Sequence, residues 1–218
     1  MKKLLILLIL LISVNSYAKD VKNLEDKCNK GDFEACSLLG EMYYKGDGVK
    51  QDDNKAVELY EKACNGGNAL GCNNLGFMYH MGYVVDDDYF KAKELYKKAC
   101  NGGNAEGCYN LGYMYAEYGE RLGVHEDYNE ALELYEKACI GGYAYSCYTL
   151  GDIYAEGKGV KGVKQDYNKA KKLYEKACNG GDADICYQIG AMYYYGDGVK
   201  QDKNKAKELY EKASHYEE

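Results

Sequence analysis

The sequence predicts an all-α protein, a right-handed solenoid of five helical hairpins with a disulfide at each joint between hairpins. Three observations predict it. All ten cysteines fall into five pairs of one spacing, C-x7-C, and the pairs recur every 36 to 39 residues. The stretches between them carry helical periodicity. A unit of this length is the mark of stacked helix pairs, each too small to bury its apolar face alone.

Each unit has two halves. In the second half of the first unit Ala56, Leu59, Tyr60, Ala63 and Cys64 fall at i, i+3, i+4, i+7 and i+8, one face of a helix. Its counterparts begin at Ala92, Ala131, Ala170 and Ala206. In the first half Leu39-Gly40-Glu41-Met42-Tyr43 recurs as Leu75 to Tyr79, Leu111 to Tyr115, Leu150 to Tyr154 and Ile189 to Tyr193. The spacing predicts a helix A over 32–45 and a helix B over 52–64. Glycine within a helix costs about 1 kcal/mol against alanine, so Gly40 and its counterparts imply close approach of helix B, with the small Ala56 and Ala63 opposite. The chain has no proline, and reversals fall to glycine and asparagine. After helix B, Asn65-Gly66-Gly67-Asn68 supplies glycines for a left-handed C-cap, and Asn68, Asn104 and Asp182 are expected to N-cap the next helix A.

The ends and boundaries follow. Lys2 and Lys3, an apolar run from Leu4 to Val14, and small Ser16 and Ala18 read as a signal peptide over 1–18. The run is too short for a membrane span, which takes about 20 residues. A capping helix is expected over 19–31, then repeats over 32–64, 68–100, 104–139, 143–178 and 182–213, and a tail over 214–218. The expected localisation is secreted or periplasmic, with no membrane association after cleavage.

Even cysteine number in an exported chain reads as a disulfide framework. The repeat makes within-pair bonding the simplest scheme: Cys28 with Cys36, Cys64 with Cys72, Cys100 with Cys108, Cys139 with Cys147, Cys178 with Cys186. Each bond would cross the turn from one helix B to the next helix A, and a loop this short contributes roughly 2.5 kcal/mol under the chain-entropy model. Zinc binding is the weaker alternative, because zinc sites favour ligands two to four residues apart.

The unit A-x-x-L-Y-x-K-A-C-N-G-G, C-x-x-L-G-x-M-Y, G-x-G-V resembles the Sel-1-like repeat, a relative of the tetratricopeptide repeat. With its cysteine pairs it is similar to the Helicobacter cysteine-rich protein family. Val84 departs from the pattern, as do the extra loop residues around Gly159-Val160-Lys161 and Gly162-Val163-Lys164. The resemblance implies exported proteins with a disulfide in each repeat, penicillin binding and slow β-lactamase activity.

The residues themselves carry little chemistry. A serine β-lactamase needs S-x-x-K, and none of Ser37, Ser146 and Ser214 has lysine at the third position after it. His80, His125 and His215 lie in different repeats, so no metal site is expected, nor any cofactor. The net charge of −7 argues against nucleic acid. Asp86-Asp87-Asp88 sits at a helix start, where acids suit the dipole, and Glu58 and Lys62 read as an i, i+4 surface pair. Most of the 26 tyrosines, such as Tyr43, Tyr60, Tyr79 and Tyr96, take core positions. Off the core face, helix A presents Asn74 with Phe77, Asn110 with Tyr113, Thr149 with Asp152, and Gln188. Stacked in successive repeats, these would line a groove for an extended peptide, its backbone bonded by amides and its side chains packed by rings. An ordinary solvated face is the competing reading. The expected function is thus a monomeric, exported binding protein for a peptide, protein or cell-wall fragment. The alternative is the slow β-lactam hydrolysis that the resemblance implies.

Overall fold

The computed structural model describes residues 20–83, 88–118, 128–157 and 163–216, and no strand occurs among them. The signal segment 1–18, Val84, Asp86, Asp87, Arg121, His125 and Lys161 lie outside these residues. The described helices are α1 over 20–29, α2 Phe33–Lys45, α3 Asp53–Asn65, α4 Ala69–His80, α5 Tyr89–Asn101, α6 Ala105–Tyr118, α7 Tyr128–Ile140, α8 Ala144–Glu156, α9 Tyr167–Asn179, α10 Ala183–Tyr195 and α11 Lys203–Tyr216. The even-numbered helices from α2 are the A helices, and the odd-numbered ones are the B helices. The chain divides into two compact units, one ending at Gly103 and the other starting at Asn104. In the first, α2 packs on α3 and α4 on α5; in the second, α6 packs on α7, α8 on α9 and α10 on α11.

Helix starts follow the acidic and amide residues. Asp32, Asn68 and Asp182 accept from the backbone N–H three residues on, capping α2, α4 and α10, and Asn104 accepts from Gly107 at 2.6 Å. The B helices use aspartate in the same way, at Asp52, Asp88 and Asp166. Tyr143 precedes α8 without a side-chain cap. In the turn after α3 the two glycines differ. Gly66 has ordinary dihedrals at φ −81°, whereas Gly67 takes φ +89°. The left-handed residue is therefore the second glycine. The first is small because the ring of Phe33 fills the place of its Cβ.

The helix A glycines do mark a close approach, but the partner differs from the small alanines expected. A Cβ at Gly40 would stand 2.7 Å from the Tyr60 ring, and one at Gly76 2.9 Å from Tyr96. In the second unit the same distances are 2.9 Å for Gly112 to Tyr135, 2.3 Å for Gly151 to Tyr174 and 2.7 Å for Gly190 to Tyr210. In each hairpin a tyrosine ring of helix B thus lies in a slot left by the missing side chain. Ala56, Ala92, Ala170 and Ala206 are fully buried in the same interfaces, so small residues on helix B let the ring reach the slot. Tyr43 is only half-buried, since it lies beneath Lys55 at the edge of the first hairpin.

Disulfides join Cys28 to Cys36, Cys64 to Cys72, Cys139 to Cys147 and Cys178 to Cys186. Cys100 and Cys108 are oxidised as well, and no cysteine is free. A second contact repeats at the joints. Tyr79 of α4 donates to Glu61 of α3 at 3.4 Å, while Lys91 of α5 lies 4.0 Å from the Tyr79 ring centre and pairs with Glu61. In the second unit Lys169 lies 3.9 Å from the Tyr154 ring and 3.4 Å from Glu136, and Lys205 pairs with Glu175. Among the described residues Glu58 and Lys62 do not form the expected ion pair; Lys62 donates instead to Asn29 of α1. Its fifth-repeat counterpart, Lys212, bonds Asn179 in the same way.

Two substitutions test this packing. Gly76→Ala improves helix propensity by about 1 kcal/mol but overpacks the slot, which costs typically 1–3 kcal/mol. Urea denaturation should show net destabilisation, and a more stable variant would reject the slot. Replacing Cys64 and Cys72 together with serine should lower stability by roughly 2.5 kcal/mol, read from the same curves.

Candidate functional site

The expected groove residues divide between the two units. In the first, Asn74 and Phe77 of α4 face Glu41 and Tyr44 of α2 across a small recess. Phe77 is half-buried. Its ring lies 6.1 Å from Tyr44 and 5.8 Å from Tyr83, and Tyr44 meets Tyr83 at 5.6 Å. Asn74 and the Tyr60 hydroxyl share this recess. Phe77 ties α4 to α2 instead of standing free for a ligand.

In the second unit Asn110 is half-buried, Tyr113 and Gln188 are exposed, and Thr149 and Asp152 are half-buried. Thr149 donates to the Tyr145 carbonyl at 3.0 Å, so its hydroxyl is committed within the helix. The dominant feature is one the helical spacing did not single out. Tyr143, Tyr109, Tyr145, Tyr148 and Tyr174 form a continuous run of rings, with successive centroids 5.3, 5.4, 6.0 and 5.9 Å apart. Tyr113 is 36% exposed and Tyr145 45%, and both sit where a ligand can reach them.

A sequence signal for this run existed. The residue after the second cysteine is Ser37, Asn73, Tyr109, Tyr148 and Tyr187 in successive repeats. Ser37 and Asn73 are buried. The three tyrosines instead stack on the slot tyrosines of the adjacent B helices: Tyr109 on Tyr135 at 5.3 Å, Tyr148 on Tyr174 at 5.9 Å and Tyr187 on Tyr210 at 4.9 Å. Aromatic pairs at these distances add about 0.5–1.5 kcal/mol beyond burial, which holds these rings in place.

The run ends in a cleft of about 590 Å³ between α8, α9 and α10, lined in part by Tyr148, Tyr167, Tyr174, Met192, Asp152 and Asp197. Tyr174 donates to Asp152 at 2.6 Å, and Tyr148 bonds the same carboxylate. Burial raises the Asp152 carboxyl above its ordinary value, an effect the two hydroxyls oppose.

The serines offer no reactive hydroxyl on this face. Ser37 and Ser146 are buried; Ser146 donates to the Tyr135 carbonyl at 2.8 Å, and Ser214 donates to the Glu211 carbonyl. Among the described residues no group of three or more His, Cys, Asp or Glu is placed to hold a metal ion, and no helix is long and apolar enough to cross a membrane.

A stapled helical hairpin of this kind, five times repeated, defines an all-α solenoid of the protein-interaction scaffold class. The chain belongs to the Sel1 repeat family, whose repeat matches residues 33–68, 69–104, 105–143, 144–182 and 183–215. Its oxidised joints make it a Sel1 repeat protein of the Helicobacter cysteine-rich kind. Cysteine rich protein B of Helicobacter pylori is 31% identical over 58% of this chain and 94% of its own, with a TM-score of 0.45. A protective antigen of uropathogenic Escherichia coli, displaying an SLR fold, is 32% identical with a TM-score of 0.69 over 88% of this chain. The chain spans 40% of that antigen's length. A Sel1 repeat protein from Oxalobacter formigenes is 27% identical, with a TM-score of 0.70 over 89% of this chain and 84% of its own. An immunity protein of Pseudomonas aeruginosa, 21% identical, shares the fold at a TM-score of 0.66 over 92% of this chain and 74% of its own. No curated protein matches the chain. Oxidised cysteines at every joint are those of a protein that matures in an oxidising environment, periplasmic or extracellular.

The packed rings also carry a pH signature. Burial pushes the Tyr109 and Tyr148 hydroxyls up to about 12 from an ordinary 10.0, and it raises Tyr60, Tyr135 and Tyr174 further. The folded state therefore holds these protons more tightly than the unfolded state, and stability falls as pH rises through that range. Alkaline titration of phenolate absorbance should show the exposed tyrosines ionising first. The buried set should follow in one cooperative step that coincides with loss of helical circular dichroism. Gradual ionisation of all tyrosines at the ordinary value would contradict the packing.

Proposed function

We propose that the chain is an exported, monomeric binding protein that holds an extended segment of a protein partner on the tyrosine-lined face of its second unit. The observation that carries this reading is the run of rings from Tyr143 to Tyr174. Rings stacked on one another lose little freedom on binding, because their neighbours already fix them. Tyr145, the exposed member of the run, is the kind of aromatic anchor that dominates interface energetics. The sequence supports the exported state through the segment 1–18, with the mature chain starting at Lys19. The alternative, slow β-lactam hydrolysis, gains no support from the serines, whose hydroxyls are buried or bonded to backbone carbonyls. Of the residues expected to line a groove, Tyr113 contributes a ring and Asp152 a carboxylate; Asn110, Thr149 and Gln188 are not assigned a contact with the partner.

The test is selection of displayed random peptides on the oxidised protein, followed by affinity measurement on Tyr113→Ala and Tyr145→Ala. Truncating an anchor costs about 2 kcal/mol of binding, near thirtyfold in affinity, and melting temperatures should hold because both rings are at the surface. Peptides that bind both variants as tightly as the wild type would place the partner off this face.

A further inference from the structure

The cleft at the end of the tyrosine run has a composition of its own. Its walls are the rings of Tyr148, Tyr167 and Tyr174 and the thioether of Met192. Its charged groups among the described residues are carboxylates: Asp152 and Glu156 one helical turn apart on α8, and Asp197 just beyond α10. Among the described residues no lysine or arginine lines it. Asp152 is half-buried there, held by the hydroxyl donor of Tyr174 at 2.6 Å. A carboxylate has about four acceptor sites, so this hydroxyl orients it and leaves sites open toward the cleft. Among the described residues lining the cleft, no cation stands against this half-buried carboxylate.

Resting on the reading above, the geometry points to this cleft as the pocket for a lysine or arginine side chain of the bound segment. Its alkyl stem would lie along Tyr148, Tyr167 and Met192, and its charged head would meet Asp152, Glu156 and Asp197. Cations sit favourably over tyrosine faces, and long basic side chains bury their stems against apolar surface while the head stays polar. The volume of about 590 Å³ admits such a side chain together with flanking backbone. A small anion or an acidic peptide is excluded by the three carboxylates. The partner is accordingly a protein segment with a basic residue near one end of its contact.

The experiment uses the full oxidised chain, isotope-labelled, and four blocked tripeptides with lysine, arginine, norleucine or glutamate between glycines. Amide shifts of Gly151, Asp152 and Gly198 are followed by nuclear magnetic resonance. Lysine and arginine peptides should saturate these shifts, and the norleucine and glutamate peptides should bind roughly tenfold more weakly or not at all. Asp152→Asn and, as a second variant at an exposed position, Asp197→Asn should each weaken the basic peptides by at least about threefold. Equal response to lysine and norleucine, or indifference to both variants, would overturn the pocket. The displayed-peptide selection separates the two readings. If selected peptides need Tyr113 and Tyr145 but not Asp152, the aromatic face stands and the cationic pocket falls. If basic peptides shift the cleft while Tyr113→Ala and Tyr145→Ala bind every selected peptide normally, the cleft stands and the face falls.

Discussion

In every hairpin a flat ring occupies the space that a side chain on the facing helix would need. This single steric fit sets much else. The tyrosine enters from helix B, passes the glycine of helix A, and carries its hydroxyl out toward the far side of that helix. Tyr60 there meets Asn74, Tyr96 lies 3.4 Å from His80, and Tyr174 reaches Asp152. One residue type thus fills the core and delivers a polar atom to the surface. A leucine would fill the slot and leave Asp152 without its donor; a larger helix A residue would push the ring, and with it the hydroxyl, off its mark.

The joints between hairpins rest on different forces. Surface ion pairs contribute little one at a time, and the lysine over each tyrosine adds only a modest cation–π term. What strengthens them is position. Glu61, Tyr79 and Lys91 come from three successive helices, so the contact resists rotation of one hairpin against the next as well as separation. The covalent bridge beside it fixes the pivot. In a linear stack, stability is the sum of hairpin and nearest-neighbour terms, and two contacts of different chemistry reinforce the same term.

The sequence discloses the helices and their caps because both depend on local chemistry: apolar spacing, aspartate or asparagine before the first turn, glycine after the last. It points to close packing at Gly40 but not to the ring that fills the slot, because Ala56, Tyr60 and Ala63 share one helix face and only the angle between helices decides which arrives. The same limit applies to the site. Asn74 and Thr149 read as available amide and hydroxyl groups, yet Asn74 shares a recess with Tyr60 and Thr149 bonds the carbonyl one turn before it. Tyr109 and Tyr148 escape a search for off-core pairs because they stand beside a buried cysteine, where the spacing suggests core. Their significance comes from comparing repeats with each other: serine and asparagine in the first two, tyrosine in the last three.

The bridges have a further consequence for how the chain acquires its structure. Each native pair is separated by 8 residues, whereas the shortest wrong pairing, Cys36 with Cys64, spans 28 positions in the sequence. Loop closure costs about 0.6 kcal/mol per doubling of length, so even an unfolded chain favours the correct bond by roughly 1 kcal/mol before any helix forms. With no proline in the chain, no prolyl isomerisation delays the turns. A nascent chain can therefore oxidise each joint as it emerges, in order, with shuffling between distant thiols as the minor path, and its fidelity resides in cysteine spacing more than in the finished fold.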